Sequence, residues 1–419
     1  MKTKHCKSSK KTHVVTSFAE AILLERNNTS PSFWQVGLKL AISSYVLFAN
    51  ALLYFMKKCW FSSITEVNDV VIYTVGTLGD NVLMLPAVAA VRAKYPAAKL
   101  SVVTNCDGFG AYAARQVWEK SELVDYFISL SNHPVKRHKY TFKLNNDDFE
   151  QKKCDLFINL SPFGNRGWLG ALIREMIFAR FLGAKQAIGF SLSSYNRKGL
   201  FNRVQHLFVT NEARRPRAVL KELNIYPLED VDLLVHDSVA KKHVEHVLLG
   251  AGIELGKGLL ILLNPGSKLA ASRWPAQRFG EFAAWLSKTY DAQVVVNGVE
   301  SENMICDEVV RTSGGKAISF SGQLSIQELI ELVRLCDACV SNNTGTMTLA
   351  AMVKTPMIVI SSTRFSPTFY MPISKKMIWL FSFCEASYSY NDIGMTSEDM
   401  LNIEVKDVAL AYQKLIEIN

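Results

Sequence analysis

A short loop around Asp80 carries a carboxylate where an acid–base catalyst could act. Residues 75–81 read VGTLGDN and lie between an apolar, β-branched run and a helical pattern that we expect to begin just after Asp80. In one interpretation the glycines of this loop, Gly76 and Gly79, let a substrate approach the backbone while Asp80 takes a proton from an attacking hydroxyl. In the other, Asp80 only caps the helix, which is the commonest role of an aspartate there.

A second loop has features of a phosphate site. The sequence NPGS at 264–267 follows the apolar run LLILL, and SRWP at 272–275 then starts a helix. Lys268 and Arg273 could neutralise a leaving diphosphate, while Trp274 is better explained as a hydrophobic plug at the helix start. The candidate donor-binding residues of this loop are Asn264, Gly266, Ser267, Ser272 and Arg273.

A third loop, SNNTGTMT at 341–348, again joins an apolar strand pattern to a helical one. Free backbone N–H groups at a helix N-terminus, with threonine hydroxyls beside them, would form an anion site suited to a diphosphate. An ordinary capped turn explains the same residues, and any one Gly-containing turn is weak evidence. The candidate donor-binding residues here are Asn343, Thr344, Gly345, Thr346 and Thr348.

The segments around these loops predict two α/β domains. From residue 69, short β-branched runs alternate with helical stretches, and the alternation starts again after a Gly-rich passage near residue 250. Such alternation predicts parallel sheets, in which ligands bind beyond the carboxyl ends of the strands. We therefore expect one Rossmann-like domain at 68–235 and a second at 236–419.

The first 60 residues differ from the rest. Residues 1–33 are polar and basic and predict a flexible tail, whereas 34–60 predict an apolar, membrane-associated helix. Its uncharged core, 40–56, is slightly shorter than the roughly 20 residues that a membrane span needs. We favour a helix that lies in the membrane face or packs on the first domain, with a single-pass span or a plain core helix as alternatives.

Composition narrows the classes of partner. The chain has 419 residues, 49% of them hydrophobic, and a net charge of +9, which favours a folded protein with an anionic partner. A membrane surface or a phosphorylated glycan fits better than nucleic acid, because no nucleic-acid-binding motif is present. The eight cysteines have no framework spacing and indicate reduced thiols. Cys336 and Cys339 lack the further ligands of a metal site, and no metal or cofactor is predicted.

Taken together and in this order, five segments resemble glycosyltransferase family 9, the ADP-heptose:lipopolysaccharide heptosyltransferases. They are TLGDNVLMLPAVAAVRAKYPAAKL, LLNPGSKLAASRWPAQRF, VVVNGVESE, ISFSGQLSIQELIELV and NNTGTMTLAA. The resemblance implies a GT-B fold, with two Rossmann-like domains facing a cleft, and an inverting, metal-independent transfer from a nucleotide diphosphate sugar, expected to be ADP-linked. It also implies that Asp80 is the general base and that Glu302 is a donor-site residue.

The sequence departs from the family pattern on the donor side. Asn343 and Thr348 replace the aspartate and histidine of the motif D-[ST]-G-x-x-H, Ser272 replaces the lysine of K-x-W-P, and Ser362 stands where the family has glycine. Because Asp80 is retained, we favour an active transferase with a shifted donor preference. The alternative is a catalytically degenerate, membrane-associated binding or scaffold protein.

Basic residues of the first domain could bind an anionic glycolipid acceptor such as a lipopolysaccharide precursor. The resemblance implies that 68–235 is the acceptor domain and 236–419 the nucleotide-sugar domain. The candidate acceptor-side residues are Thr77, Gly79, Arg166 and Arg197, and further arginines of this domain include Arg174, Arg214 and Arg215. A solvated basic surface explains them equally well, because arginine is normally exposed. With the apolar helix, they favour a peripheral or monotopic protein on the cytoplasmic face of the inner membrane.

Overall fold

The computed structural model describes residues 12–27, 33–105, 114–131, 143–144, 154–162, 169–191, 211–229, 231–363, 369–383 and 395–418. The chain divides into two compact units, one formed by residues 31–235 and the other by residues 1–30 with 236–419.

Strands and helices alternate through both units. The strands are β1 (Thr12–Val15), β2 (Asp69–Tyr73), β3 (Lys99–Asn105), β4 (Tyr126–Ser131), β5 (Lys143–Leu144), β6 (Leu156–Asn159), β7 (Gln186–Ile188), β8 (Leu260–Asn264), β9 (Gln293–Val296), β10 (Ala317–Ser319), β11 (Ala338–Asn342), β12 (Met357–Ile360) and β13 (Met377–Ser382). The helices are α1 (Phe18–Asn27), α2 (Phe33–Trp60), α3 (Leu78–Lys94), α4 (Ala114–Trp118), α5 (Leu169–Phe181), α6 (Arg215–Leu220), α7 (Ser238–Gly250), α8 (Ala276–Tyr290), α9 (Asn303–Thr312), α10 (Ile326–Leu335), α11 (Gly345–Met352), α12 (Glu398–Asn402) and α13 (Val405–Glu417).

The sheet of unit 31–235 has six strands in the order β5-β4-β3-β2-β6-β7. Its pairs are parallel except for β4 with β5. The strand order reverses between β2 and β6, so the chain leaves β2 on one side and returns to β6 on the other. Ligands of open parallel sheets bind beyond the carboxyl ends of the strands at such a switch point. The loop that contains Asp80 follows β2 and therefore lies at this position.

The sheet of the other unit has seven strands in the order β1-β13-β12-β11-β8-β9-β10. Strands β8, β11, β12 and β13 are buried along their whole length, as expected for parallel strands covered on both faces. Here the switch point lies between β8 and β11, which pair in parallel. The two candidate donor loops follow these two strands, and the fold therefore brings them side by side.

Residues Thr12–Val15 form a strand of this second sheet, whereas the sequence predicted a flexible tail over 1–33. Strand β1 pairs antiparallel with β13, with Thr12 opposite Ser382 and Val15 opposite Trp379. The Thr12 hydroxyl also donates to the Asp407 carboxylate at 2.9 Å. β1 thus covers the edge of the parallel sheet that β13 would otherwise expose.

Helix α2 is part of unit 31–235 and packs on the sheet of that unit. Ala49 and Leu53 belong to the hydrophobic core that contains Tyr73 and Phe157 of the sheet, and α2 also contacts α5. By length and composition, residues Leu40–Trp60 are apolar enough to cross a membrane. Packing on the first domain was one of the alternatives that the sequence left open, and the buried side of α2 packs in this way.

Some element bounds differ from the sequence-based expectation. Helix α3 begins at Leu78, before Asp80 rather than after it, because Thr77 provides the N-cap. Strand β13 was not predicted, although its sequence MIWLFS consists largely of strand-forming residues.

Candidate active site

Asp80 is the third residue of α3, and its carboxylate turns back onto the helix start. Its Oδ2 atom accepts the backbone N–H of Thr77 at 2.7 Å and the Thr77 hydroxyl at 2.9 Å. This is the reciprocal half of a capping box, in which the third helical residue satisfies the N–H of the N-cap. Asp80 therefore has a structural role, and these bonds also fix its carboxylate at the carboxyl end of β2.

Gly76 makes room for that carboxylate. A Cβ atom added at residue 76 would lie 2.5 Å from Asp80 Cβ and 2.9 Å from Asp80 Oδ2. Any larger residue at 76 would therefore collide with the carboxylate as it is placed. Gly76 is therefore needed to leave space for the Asp80 side chain, and not to allow a left-handed backbone turn.

Polar residues at the end of β6 support the same loop and were not singled out in the sequence. The Ser161 hydroxyl accepts the Val75 N–H at 3.1 Å, and Asn159 Oδ1 accepts the Ser161 N–H at 3.1 Å. The buried Glu175 carboxylate in turn accepts Asn159 Nδ2 at 2.7 Å. These bonds connect α5, β6 and the Asp80 loop, which only the fold brings together.

The two donor loops meet directly. Asn264, the last residue of β8, accepts the Thr346 hydroxyl at 3.0 Å and donates to the Thr344 hydroxyl at 3.5 Å. Asn342, the last residue of β11, donates to the carbonyl oxygens of Pro265 at 2.7 Å and Gly266 at 3.3 Å. The structure thus groups Asn264, Gly266, Thr344 and Thr346 at the start of α11.

Asn342 was not identified from the sequence, yet it connects the two loops. Its Oδ1 atom accepts the backbone N–H of Trp274 at 3.0 Å. The Trp274 ring is fully buried, and its indole N–H donates to the Ile403 carbonyl at 2.7 Å. The sequence-based interpretation of Trp274 as a plug agrees with this packing.

Glu302 lies against the first donor loop. A Cβ atom at Gly266 would lie 2.1 Å from Glu302 Oε2, so only glycine leaves the carboxylate in its place. The same Oε2 atom accepts the Val299 N–H at 3.1 Å. The structure therefore places Glu302, 36 residues downstream of Gly266 in the chain, at the candidate donor loop.

The two neutral replacements, Asn343 and Thr348, both form hydrogen bonds with other residues of their unit. Asn343 Nδ2 donates to the Ser361 hydroxyl at 3.3 Å, and the Thr348 hydroxyl donates to the Gly345 carbonyl at 2.6 Å.

Arg273 stabilises the first donor loop, because its Nε donates to the Ser267 carbonyl at 2.8 Å. Ser272 ends the short 3-10 helix that precedes Arg273.

A buried carboxylate, Asp399, supports the loop behind Asn343. It is fully buried and accepts the hydroxyls of Ser362 and Thr363, both at 2.9 Å, together with the Thr363 N–H. On its other oxygen it accepts the Ser397 hydroxyl and the Met400 N–H. No sequence signal marks Asp399 as a support of this loop, because Ser362 and Thr363 lie 37 and 36 positions away along the chain.

The proposed acceptor-side arginines are partly outside the described residues. Arg166 and Arg197 lie in ranges 163–168 and 192–200, which the structure does not describe. Arg215 is mostly buried: it pairs with the buried Glu212 at 3.0 Å and donates to the Leu160 carbonyl. Arg215 is therefore a framework residue of the first unit and not part of a solvated basic surface.

Within the described part of the chain, no group of three or more His, Cys, Asp or Glu residues could hold a metal ion. Cys336 and Cys339 are both buried, and burial raises the pKa of the Cys339 thiol to about 12. At neutral pH this thiol is protonated and is therefore a poor metal ligand or nucleophile.

Each unit carries groups of a kind that transfer to a hydroxyl requires. One unit presents a fixed carboxylate, which can accept a proton. The other presents backbone N–H groups at the N-terminus of the eight-residue helix α11, with Thr344 and Thr346 hydroxyls beside them. Such helix starts bind anions such as phosphate.

Comparison with known proteins agrees with this chemistry. Residues 171–392 match the sequence model of glycosyltransferase family 9 (heptosyltransferase). Lipooligosaccharide heptosyltransferase 2 of Campylobacter jejuni is 22% identical over 298 residues, which cover 70% of this chain and 80% of that protein. The enzyme of the same name from Haemophilus influenzae is 27% identical over 127 residues, 29% of this chain and 36% of that protein. The family match begins downstream of Asp80.

Two solved structures share the fold. A family 9 glycosyltransferase from Veillonella parvula has a TM-score of 0.64 at 18% identity and covers 85% of this chain and 100% of its own. ADP-heptose lipopolysaccharide heptosyltransferase II from Escherichia coli has a TM-score of 0.55 at 15% identity and covers 83% and 98%. These neighbours confirm the predicted GT-B-type α/β fold.

Proposed function

The chain belongs to glycosyltransferase family 9 (heptosyltransferase) and is a glycosyltransferase, and from this premise we propose its reaction. It transfers a heptose or a related sugar from a nucleotide diphosphate donor to a hydroxyl of lipopolysaccharide or a related envelope glycan. The transfer inverts the anomeric centre and uses no metal. The fixed Asp80 carboxylate is the observation that carries the proposal.

Asp80 acts as the general base in this proposal. It takes the proton of the acceptor hydroxyl, whose oxygen forms the new bond to the anomeric carbon. The bond from that carbon to the diphosphate oxygen breaks at the same time, and the nucleoside diphosphate leaves. The bonds from Thr77 and the space at Gly76 support this role, because a base must be held within hydrogen-bond reach of its proton.

The diphosphate binds at the start of α11. There the backbone N–H groups, the Thr344 hydroxyl and the helix dipole stabilise the negative charge that the leaving group gains. The buried Thr346 hydroxyl donates to Asn264 and supports the site from within. Asn264 and Gly266 shape the floor of this site, and Glu302, Ser267, Ser272, Arg273, Asn343, Gly345 and Thr348 complete its candidate donor-binding residues. This site offers few cations to pair with the diphosphate, which fits a preference for the sugar of the donor that is shifted from that of the relatives.

The donor is proposed to be ADP-linked, because a structural neighbour of the fold is an ADP-heptose transferase. The acceptor is an anionic glycolipid that contacts the first unit near Thr77 and Gly79, with Arg166 and Arg197 as further contacts. Both substrates place the protein on the cytoplasmic face of the inner membrane. A peripheral or monotopic attachment fits the apolar helix α2.

A binding or scaffold function is the second candidate. The observation that favours it is the loss of both ionisable groups at Asn343 and Thr348, whose polar atoms bond to Ser361 and Gly345. Such a protein would bind no nucleotide sugar, or would bind one without turning it over. Nucleotide titration and turnover therefore distinguish the two functions.

The test is calorimetric titration of the full chain with ADP-, GDP- and UDP-sugars, with transfer and hydrolysis followed in parallel. Asp80→Asn should lower kcat by about 10²–10⁴ fold, the usual contribution of a general base, and should leave the donor dissociation constant unchanged. Asp307→Asn, an exposed aspartate of α9, is the matched control and should keep full activity. Nucleotide binding with no turnover by the wild type, or no binding at all, would favour the scaffold.

A further inference from the structure

Helix α2 exposes an apolar face along its length. We define this apolar face as Leu40, Leu47, Phe48, Tyr54 and Phe55, with Leu47, Phe48 and Phe55 each 66–71% exposed. Leu40, Leu47 and Tyr54 are spaced by seven residues, as are Phe48 and Phe55, so all five lie on one side of the helix. Between Leu40 and Met56 the helix carries no charged residue.

The opposite side of α2 is equally apolar but is already covered. Ile42, Ala49 and Leu53 are at most 3% exposed, and the last two belong to the core of unit 31–235. A surface helix of a water-soluble protein has polar residues opposite its buried stripe. Ser44, on the exposed side, donates its hydroxyl to the Leu40 carbonyl at 3.0 Å and needs no water. Both sides of α2 are therefore suited to apolar surroundings.

The ends of α2 lie on the same side of any membrane. Strand β1 precedes α2, and it pairs with β13, which lies more than 300 residues after α2. Two strands of one sheet cannot be separated by a bilayer, since their backbone groups bond to each other. A spanning α2 would break this pairing and would also remove Ala49 and Leu53 from the core.

Basic residues lie at the C-terminal end of α2 and on the neighbouring helix α5. Lys57 and Lys58 are in the last turn of α2; Lys57 pairs with Glu222, while the Lys58 ammonium lies 5.6 Å from the centre of the Tyr54 ring. Helix α5, which contacts α2, exposes Ile177, Arg180 and Phe181. Anionic lipid headgroups complement this rim, whereas a second copy of the chain would bring two basic rims together.

We propose that α2 lies in the plane of the membrane, with its apolar face in the acyl and headgroup boundary of an anionic leaflet and both ends on the cytoplasmic side. The choice of the cytoplasmic leaflet rests on the proposed function, but the surface and its lipid occupant do not. α2 is then a monotopic anchor that is also part of a domain core. It holds the first unit, with Asp80, at the surface where a glycolipid acceptor lies.

The first test is flotation of the full chain with vesicles of phosphatidylethanolamine and phosphatidylglycerol. The variant F48E/F55E should reduce the vesicle-bound fraction about tenfold or more, because each glutamate puts a charge where the wild type inserts an apolar side chain into the membrane. The matched control M304E/L410E changes two exposed apolar residues of α9 and α13 and should float as the wild type does. Vesicles of phosphatidylcholine alone should bind the wild type more weakly.

The second test locates both ends of α2. In a full chain with Cys6, Cys106 and Cys384 changed to serine, the exposed Cys59 reports one end. Ala19→Cys combined with Cys59→Ser reports the other. Neither thiol should react with an impermeant maleimide in intact spheroplasts, and both should react in detergent.

Two results would overturn the proposal. One is flotation of F48E/F55E at the wild-type level while its thermal unfolding is unchanged, because the apolar face would then not bind lipid. The other is labelling of either thiol in intact spheroplasts, which would show that α2 spans. A wild type that floats but transfers no sugar would reject the proposed function and leave the membrane anchor standing.

Discussion

Gly76 offers a way to move Asp80 without removing its charge. Gly76→Ala adds one Cβ atom, which would lie 2.5 Å from Asp80 Cβ, 2.9 Å from its Oδ2 and 3.0 Å from its Cγ. The backbone at residue 76 would otherwise accept alanine, since its φ angle is not positive. The substitution therefore tests the position of the carboxylate alone.

The size of the effect follows from these distances. Carbon atoms in contact prefer about 3.5–4.0 Å, so the Asp80 side chain must move by about 1 Å or more. Its bonds to the Thr77 N–H and hydroxyl, at 2.7 and 2.9 Å, would lengthen or break in the process. A misplacement of about 1 Å can cost about 10² in rate, which corresponds to about 2.7 kcal/mol of transition-state free energy.

The assay is steady-state transfer with the donor that calorimetry identifies. We expect kcat to fall about 10²-fold while the donor dissociation constant stays unchanged, because the donor loops belong to the other compact unit. Gly250→Ala is the matched control, since a Cβ at Gly250 has no neighbour within 4 Å. A Gly76→Ala enzyme with wild-type kcat would refute the reasoning, because Asp80 would then tolerate displacement and could not be a positioned base.

Three further changes probe the framework. Gly266→Ala places a Cβ 2.1 Å from Glu302 Oε2 and should weaken donor binding about tenfold or more by displacing the loop; calorimetry with unchanged affinity would contradict this. Asp399→Asn removes a buried acceptor and should lower the free energy of unfolding by about 1–3 kcal/mol, measured in urea, and raise KM for the donor. Burial raises the pKa of Asp155, but the Lys185 ammonium and two backbone N–H groups lower it more, to a net value below 3.8. Its stabilisation is therefore present above pH 3.8 and lost as the pH falls, so Asp155→Asn should flatten the acid limb of the stability curve.

The fold was largely predictable because the buried strands of parallel sheets have a recognisable local sequence pattern. Runs such as LLILL and VVIY are apolar on both faces, and each is followed by a Gly-containing loop and a helix. The N-terminal strand β1 was not predictable in the same way. Its partner β13 lies far along the chain, and the polar, basic residues around it resemble a disordered tail.

The candidate site was predictable in its loops but not in its supports. Asn264, Gly266 and Thr346 follow predicted strands, and the strand order alone places them together. Asn342 and Asp399 contact residues that are 77 and 37 positions away, such as Pro265 and Ser362. One sequence carries no signal for such long-range pairs.

The Asp80 loop and the donor loops follow strands of different sheets, and this bears on how the donor-side replacements affect function. Asn343 and Thr348 have neutral partners in Ser361 and Gly345, so the loop that carries them has its polar groups satisfied without a buried charge. The hydrogen bonds that join Asn342 to Trp274 and Pro265 involve neither of these side chains, so they do not depend on the replacements. Loss of the two ionisable groups therefore changes what the loop can recognise more than whether it is formed. Since Asp80 belongs to the other unit, we expect donor selectivity and the chemical step to respond to separate mutations.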